Sequence, residues 1–422
     1  MLSLMHLFGY GEYRILIVFL VLVVMQAGCT DATEPDELTP MVEELVLLAG
    51  SDQTASVAMT LPVSPEIEAR DATGNPVPHT RINFEVIEGD GWIVAEQIET
   101  NSQGRVSNPW YMGPLPGDQR LSISSGNADL FLTAEAEPLV IGDTLWGFRN
   151  WVEFIPGELP VVMTAPHGGT ERPFDIPDRT YGATIRDYAT DELAHFMAQE
   201  LEKEVGTLPH LVVLHLHRIK LDANRDIDEA AQGNKLAERA WREFHGFTEA
   251  AKAWVEQQYG EGFYIDIHGH GHQIQRLELG YLLTSADLER SDAELNQSWA
   301  VSKSSFRTLV QRSGRTHSDL IRGPSSLGTL YEEEGYPSVP STDQYHPGGN
   351  PFFTGGYNTR RHSCRDGGSI CGFQLEANRL GVRDTQGQRR AFAVANARVL
   401  NRFFEENYGY SLETFGLTAA HK

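Results

Sequence analysis

Two histidines stand where apolar runs give way to glycine-rich loops. Residues 159–165 (LPVVMTA) lead into Pro166-His167-Gly168-Gly169-Thr170-Glu171, and residues 263–267 (FYIDI) lead into His268-Gly269-His270. An imidazole nitrogen is a good ligand for a divalent ion, and the glycines let backbone and ligand approach closely. Glu171 is near enough in the chain to bind the same ion as His167. Two histidines and one carboxylate, with a fourth position left for water, make a catalytic zinc set. Asp266 is a candidate to fix the imidazole of His268 from behind. A single histidine at a strand end is more often a hydrogen-bonded structural residue. His215, His217, His270 and His272 are further imidazoles, each ranked below His268. Two other segments carry chemistry. Arg218-Ile219-Lys220-Leu221-Asp222-Ala223-Asn224-Arg225 offers guanidinium forks that grip a carboxylate in two hydrogen bonds, although Asn-Arg alone is usually a solvated surface pair. Glu376 sits in the apolar run GFQLEA. A carboxylate there needs a partner or a role, so it is a candidate general base. The alternative is a buried ion pair with Arg379.

These residues need a scaffold that brings distant parts of the chain together. From residue 142 onward, short β-branched runs alternate with helical patterns. Strands are expected over residues 159–165, 211–216, 263–267, 279–283 and 372–377. Helices are expected from Asp191 to about Val205, capped by Thr190, then over roughly 228–258 and over 386–406. This alternation implies an α/β layered domain with a mostly parallel sheet, its site at the strand ends. Residues 42–138 read differently. Ile82, Phe84 and Val86 alternate, as do Leu121 and Ile123, and turns such as Gly74-Asn75-Pro76 and Gly89-Asp90-Gly91 fall between the runs. That pattern is an all-β sandwich. It resembles the bacterial Ig-like domains of surface proteins and holds no cluster of nucleophiles or ligands, so its expected role is that of a spacer.

The pieces from about residue 155 to 405 resemble, in order, the N-formylglutamate amidohydrolases, relatives of zinc carboxypeptidases and aspartoacylase-type deacylases. The resemblance is carried by the PHGG loop, by Asp187, Thr190, Glu192 and Leu193 at a helix start, and by the RIKLDANR string. The DIH strand end, Phe353-Thr354-Gly355-Gly356-Tyr357 and the late strand with Glu376 complete it. It implies a zinc-carboxypeptidase-like fold in which His167, Glu171 and His268 hold zinc and Arg218 polarises the scissile carbonyl. Asn224 and Arg225 would then hold a free carboxylate of the substrate, and Glu376 would activate water. Three residues separate His167 from Glu171, where carboxypeptidase relatives have two. The implied reaction is hydrolysis of the amide of a small N-acyl amino acid or peptide. Open alternatives are a zinc carboxypeptidase or poly-γ-glutamate hydrolase of the same fold, or a surface binding protein without catalysis.

The ends of the chain bear on location. Arg14 precedes an apolar run over residues 15–25 (ILIVFLVLVVM), which ends in Gln26-Ala27-Gly28-Cys29. The run is short for a membrane span and suits a secretion signal. It resembles a lipoprotein signal over residues 1–29, with Cys29 as the lipid-bearing residue and an exported, membrane-anchored product. An anchor that is never cleaved is the alternative. Residues 30–41, acidic and rich in Pro and Thr, read as a linker, the catalytic domain as 139–410 and the remainder, 411–422, as a tail. Cys364 and Cys371 are the remaining cysteines, and in an oxidising compartment they can close a loop. A net charge of −24 without a basic run argues against nucleic acid as a partner.

Overall fold

Strand alternation decides which side chains meet. The computed structural model describes residues 41–419. The lipoprotein-type signal, Cys29 and nearly all of the linker lie outside the described residues.

The N-terminal part is all β. Strands β1 (Glu44–Ala49), β3 (Glu66–Arg70) and β7 (Arg105–Ser107) form a three-stranded sheet. A five-stranded sheet runs β2 (Gln53–Ser56), β10 (Ala128–Glu137), β9 (Gly117–Ser125), β4 (Arg81–Glu88), β6 (Gln97–Glu99). The short strands β5 (Trp92–Ile93) and β8 (Trp110–Tyr111) pair separately. Ile67, Ala69 and Val106 of the first sheet share a core with Ile82, Phe84, Leu121 and Ile123 of the second. The alternation seen in the sequence is therefore that of inward-facing residues.

The rest is a mixed α/β layer. Its eight-stranded sheet is ordered β11 (Leu145–Trp146), β12 (Val152–Ile155), β14 (His210–Leu214), β13 (Val161–Ala165), β15 (Gly262–Gly269), β18 (Ile370–Ala377), β16 (Leu277–Gly280), β17 (Ser338–Val339). The four central strands β14, β13, β15 and β18 are parallel to one another, while β12 and β16 join that core antiparallel. Helices α1 (Thr190–Val205) and α11 (Gln386–Asn407) cover one face; α2 (Ile227–Ala231) and the long α3 (Lys235–Tyr259) lie on the other side of the chain. Short helices α4 to α10 fill residues 285–362, and α12 (Glu413–Ala419) follows α11. The expected tail is thus partly helical.

Period two then sorts the strands. Val161, Met163, Phe263, Ile265, Ile267, Phe373 and Leu375 all pack on the α1/α11 face. Residues one step out of phase, Thr164, Asp266, His268, Gln374 and Glu376, must point to the opposite face. Each buried aliphatic or aromatic side chain on the first face contributes about 1.5–3 kcal/mol. That apolar face fixes the register of the polar one, since a one-residue slip would exchange them.

Cys364 and Cys371 are joined in a disulfide with Cα atoms 4.5 Å apart. No helix among the described residues is long and apolar enough to cross a membrane. Two local expectations shift. Thr190 is the first residue of α1 and not its cap; the cap is Ala189, held at φ 56° with no side-chain hydrogen bond. The single helix expected over 228–258 is broken into α2 and α3, with Asn234 capping α3 through bonds to Leu236 and Ala237.

Candidate metal centre

β13 and β15 are adjacent and parallel, so their C-terminal ends deliver His167 and His268 to the same edge. The two imidazole rings lie 4.7 Å apart, centroid to centroid, and are nearly perpendicular. Both turn Nδ1 toward a single oxygen of Asp187, at 3.4 Å from His167 and 3.2 Å from His268. Ligand atoms of His167, Asp187 and His268 all fall within 4.8 Å of one another.

The other nitrogen of each ring is held from behind. His167 Nε2 lies 2.6 Å from Asp222 Oδ1, and His268 Nε2 lies 2.8 Å from Asp266 Oδ2. Both carboxylates are fully buried and are themselves bound. Arg218 Nε and the Asn224 N–H donate to Asp222, at 2.9 and 3.1 Å. The Thr164 hydroxyl and the Asn358 amide donate to Asp266, at 2.9 and 3.3 Å. This is the carboxylate–histidine pairing that fixes a metal-binding imidazole in orientation and tautomer.

Electrostatics agree with a cation site. Burial opposes ionisation of Asp187 and Asp222, yet the facing histidines outweigh it and hold both well below the usual carboxylate range. Burial alone would lower His268, but Asp266 and Asp187 raise it well above the ordinary imidazole value. Two nitrogens and a carboxylate oxygen, each oriented and converging, make a donor set that could hold a metal ion.

The loops close tightly for the same purpose. A side chain on Gly168 would meet the Asp191 backbone nitrogen at 2.3 Å, and one on Gly169 would meet the His215 carbonyl at 2.3 Å. Glycine at these two positions lets the His167 loop tuck between α1 and the chain leaving β14.

Glu376 faces the same space. It is the direct cross-strand partner of His268 in the β15–β18 ladder and is only 4% exposed. Its carboxyl is pushed up to about 8, chiefly by burial, with Asp187 and Glu278 adding to the rise and His268 and Arg383 opposing it. Gln374 donates to it at 2.8 Å. The anticipated ion pair with Arg379 is not formed; Arg379 pairs with Asp384 at 3.2 Å. Arg218 is also in place, with Nη1 3.6 Å from Asp187 Oδ1.

Of the remaining expected residues, the structure brings Asn224 against His268 and leaves Glu171 and Arg225 outside the converging ligand atoms. Glu171 is exposed, and its main chain is stitched to the segment after β14, accepting from His217 N–H and donating to the His215 carbonyl. Glu171 is not among the converging ligand atoms, and the carboxylate that stands with the two histidines is that of Asp187. Asn224 is buried and already engaged. Its Oδ1 accepts from Asn358 N–H at 2.8 Å, and its Nδ2 lies 3.3 Å from His268 Nε2. Arg225 turns to the Asn224 carbonyl at 2.6 Å and to Glu229 at 3.2 Å. It stands beside the group and outside it. Asp187 and Asp222 stand in the sequence only inside longer motifs, Asp187 three residues before Thr190, and Asn358, which follows Tyr357, carries no signal of its own.

The further imidazoles are occupied elsewhere. His270 Nε2 meets the Arg276 carbonyl at 2.8 Å, and its Nδ1 accepts from His272 N–H at 3.1 Å. His272 pairs with Glu278 at 2.9 Å. This second group also has metal-compatible spacing, but both nitrogens of His270 are already used. His215 binds Glu153, and His217 binds Arg172 and the Ile219 N–H.

No family model matches the chain, and no curated protein matches it. Among solved structures, an N-formylglutamate amidohydrolase from Ralstonia eutropha JMP134 is similar at a TM-score of 0.35 and 16% identity, over 59% of this chain and 96% of that one. Domains 4 and 5 of the S-layer protein SbsC and the D00-D0 domain of Intimin are each similar at a TM-score of 0.19 and 13% identity, over 23% of this chain. They are matched over 53% and 46% of their own lengths, so this chain spans about half of each. At such low TM-scores none of these likenesses bears on function.

Proposed function

We propose that the α/β layer is a zinc-dependent hydrolase that cleaves the amide of a small N-acyl amino acid or peptide carrying a free carboxylate. One observation carries the reading. Two imidazoles from neighbouring strands turn toward one carboxylate oxygen, each locked from behind by a buried aspartate, with a buried carboxyl directly across the ladder.

His167, Asp187 and His268 would hold the ion. A zinc ion there supplies Lewis acidity toward a carbonyl oxygen and toward water. Asp222 and Asp266 keep the rings in the tautomer that leaves Nδ1 free to bind. Glu376, held in a dry pocket where its proton affinity is raised, takes a proton at its carboxylate and returns it to the leaving nitrogen. Arg218, anchored by Asp222, presents its guanidinium where a carbonyl oxygen gains negative charge. Arg225, next to Asn224, is assigned to the substrate's carboxylate, for which it would exchange Glu229. The apolar run over residues 15–25 and the Ala27-Gly28-Cys29 that follows support export, with Cys29 as the lipid-bearing residue.

Purified protein should carry one zinc per chain by elemental analysis. It should hydrolyse at least one of an N-formyl, N-acetyl and γ-glutamyl substrate series, lose that activity to a chelator and regain it with zinc. Glu376→Gln should lower kcat by roughly 10²–10⁴-fold with KM little changed and zinc retained, whereas Arg225→Ala should raise KM. Hydrolysis that survives complete metal removal would end this reading.

A further inference from the structure

We propose that the cavity beside Asp187 is a subsite for a second carboxylate, so that the preferred substrate is an acidic oligopeptide and not a single acyl amino acid. The inference rests on the hydrolase reading for its orientation toward the scissile bond, but its binding chemistry stands apart from catalysis.

The cavity, of about 570 Å³, is bordered by Arg186, Arg218, Arg379 and Arg383, and Asp187 is the one carboxylate in its lining. The chain as a whole has 34 Lys and Arg against 58 Asp and Glu. One cavity therefore reverses the charge balance of the entire molecule, which is how a site for anions focuses its field. Two of the four guanidinium groups are already committed. Arg218 serves Asp222 and Asp187. Arg383 donates to the main-chain carbonyls of Ala377, Tyr188 and His270.

Arg186 and Arg379 remain. Arg186 donates one N–H to the Gly168 carbonyl at 2.9 Å and has no carboxylate partner among the described residues. Arg379, with its side chain 58% exposed, meets Asp384 through Nε alone. Both lie over the ring of Tyr188, at 5.6 and 5.1 Å from its centroid. Stacking on an aromatic ring holds a guanidinium plane and leaves its N–H edge free for a carboxylate. Tyr188 is itself tethered by Arg383 and follows Asp187 directly in the chain. Two pre-placed forks thus border the cavity that Asp187 also lines. Their planar, two-pronged donor pattern matches the carboxylate of a neighbouring acidic residue.

Calorimetric titration with tetraglutamate and with tetraglutamine tests this without requiring turnover. It should be run on the full chain, both zinc-loaded and chelator-treated. Tetraglutamate should bind at least tenfold more tightly than tetraglutamine, and more weakly as salt rises. Arg186→Gln and Arg379→Gln should each reduce that preference several-fold, the double variant should abolish it, and zinc content should stay unchanged. Equal affinity for the two peptides, or a double variant that binds like the parent, overturns the proposal. Displacement of tetraglutamate by equimolar inorganic phosphate overturns the carboxylate assignment. If the peptide preference holds while no hydrolysis is found, the subsite stands and the hydrolase reading falls. Hydrolysis without the preference leaves the opposite result.

Discussion

Asp187 is drawn on from several sides: two imidazoles share one of its oxygens, the Gly269 N–H donates to that same oxygen at 3.2 Å, and Arg218 approaches the other. With the Nε2 protons directed at Asp222 and Asp266, two Nδ1 lone pairs face one anionic oxygen, a contact that a bound cation relieves. Removing that charge centre should therefore be felt in metal affinity before it is felt in folding. Asp187→Asn is expected to weaken zinc binding by at least 100-fold, and Asp222→Asn, which only loosens the ring of His167, by about 10–100-fold. Glu171→Ala should leave affinity unchanged, because its side chain points into solvent. Competition against a chromogenic chelator measures all three. A large loss for Glu171→Ala together with none for Asp187→Asn would restore the ligand set read from the sequence.

At the scale of elements, a second cluster shows how strands and helices are tied around this loop. Glu153 on β12 accepts from His195 of α1 and from His215 beyond β14, both at 3.0 Å. Burial would raise Glu153, but the two histidines outweigh it and bring its carboxyl down to about 2, while Glu153 raises His195. The signs give a window. The Glu153 contribution is complete above its unfolded value of 4.5 and fades as pH falls toward 2; the His195 contribution is complete below 6.5 and fades as pH climbs past its raised value. Glu153→Gln should therefore destabilise the fold by about 2–3 kcal/mol at pH 6 and by clearly less at pH 9, read from urea unfolding. An equal loss at both values would show that charge plays no part. This cluster also marks what the sequence could and could not disclose. β13, β15 and β18 were legible because their apolar, β-branched runs admit no other reading, and with them came His167, His268 and Glu376. β12 was not, since four residues interrupted by a glutamate carry no recognisable period. Helices of four to seven residues between 285 and 362 are likewise too short to show one. Asp187 escaped because its role depends on a left-handed residue, Ala189, that starts α1 and turns the chain back across the strand ends. No spacing rule encodes that.

At the scale of the molecule, the sandwich expected to serve as a spacer packs directly on the α/β layer. Its core residues belong to one cluster with Val152, Phe154, Trp241, Phe244 and Phe247 of the α/β layer. Arg242 of α3 stacks over Trp92 of β5 at 5.1 Å, and Trp92 in turn stacks on Tyr111 at 3.6 Å. A side chain on Gly246 would touch Ala58 at 3.5 Å, so α3 lies directly against the sandwich. The same face of α3 supports the site, because Trp241 donates to the Arg225 carbonyl at 2.9 Å and His245 meets the Ala223 carbonyl at 3.1 Å. Shared apolar surface couples the unfolding of the parts it joins, whereas a flexible linker leaves them independent. Scanning calorimetry of the chain from residue 41 onward should therefore show a single transition, with hydrolysis lost over the same temperature range. Trp92→Ala removes a half-buried ring and should cost roughly 2 kcal/mol, less than the 3–5 of a fully buried aromatic. It should lower that one transition without splitting it. Two resolved transitions, with only the sandwich moved by Trp92→Ala, would return the sandwich to the status of a spacer and leave α3 to hold the Asn224–Arg225 segment unaided.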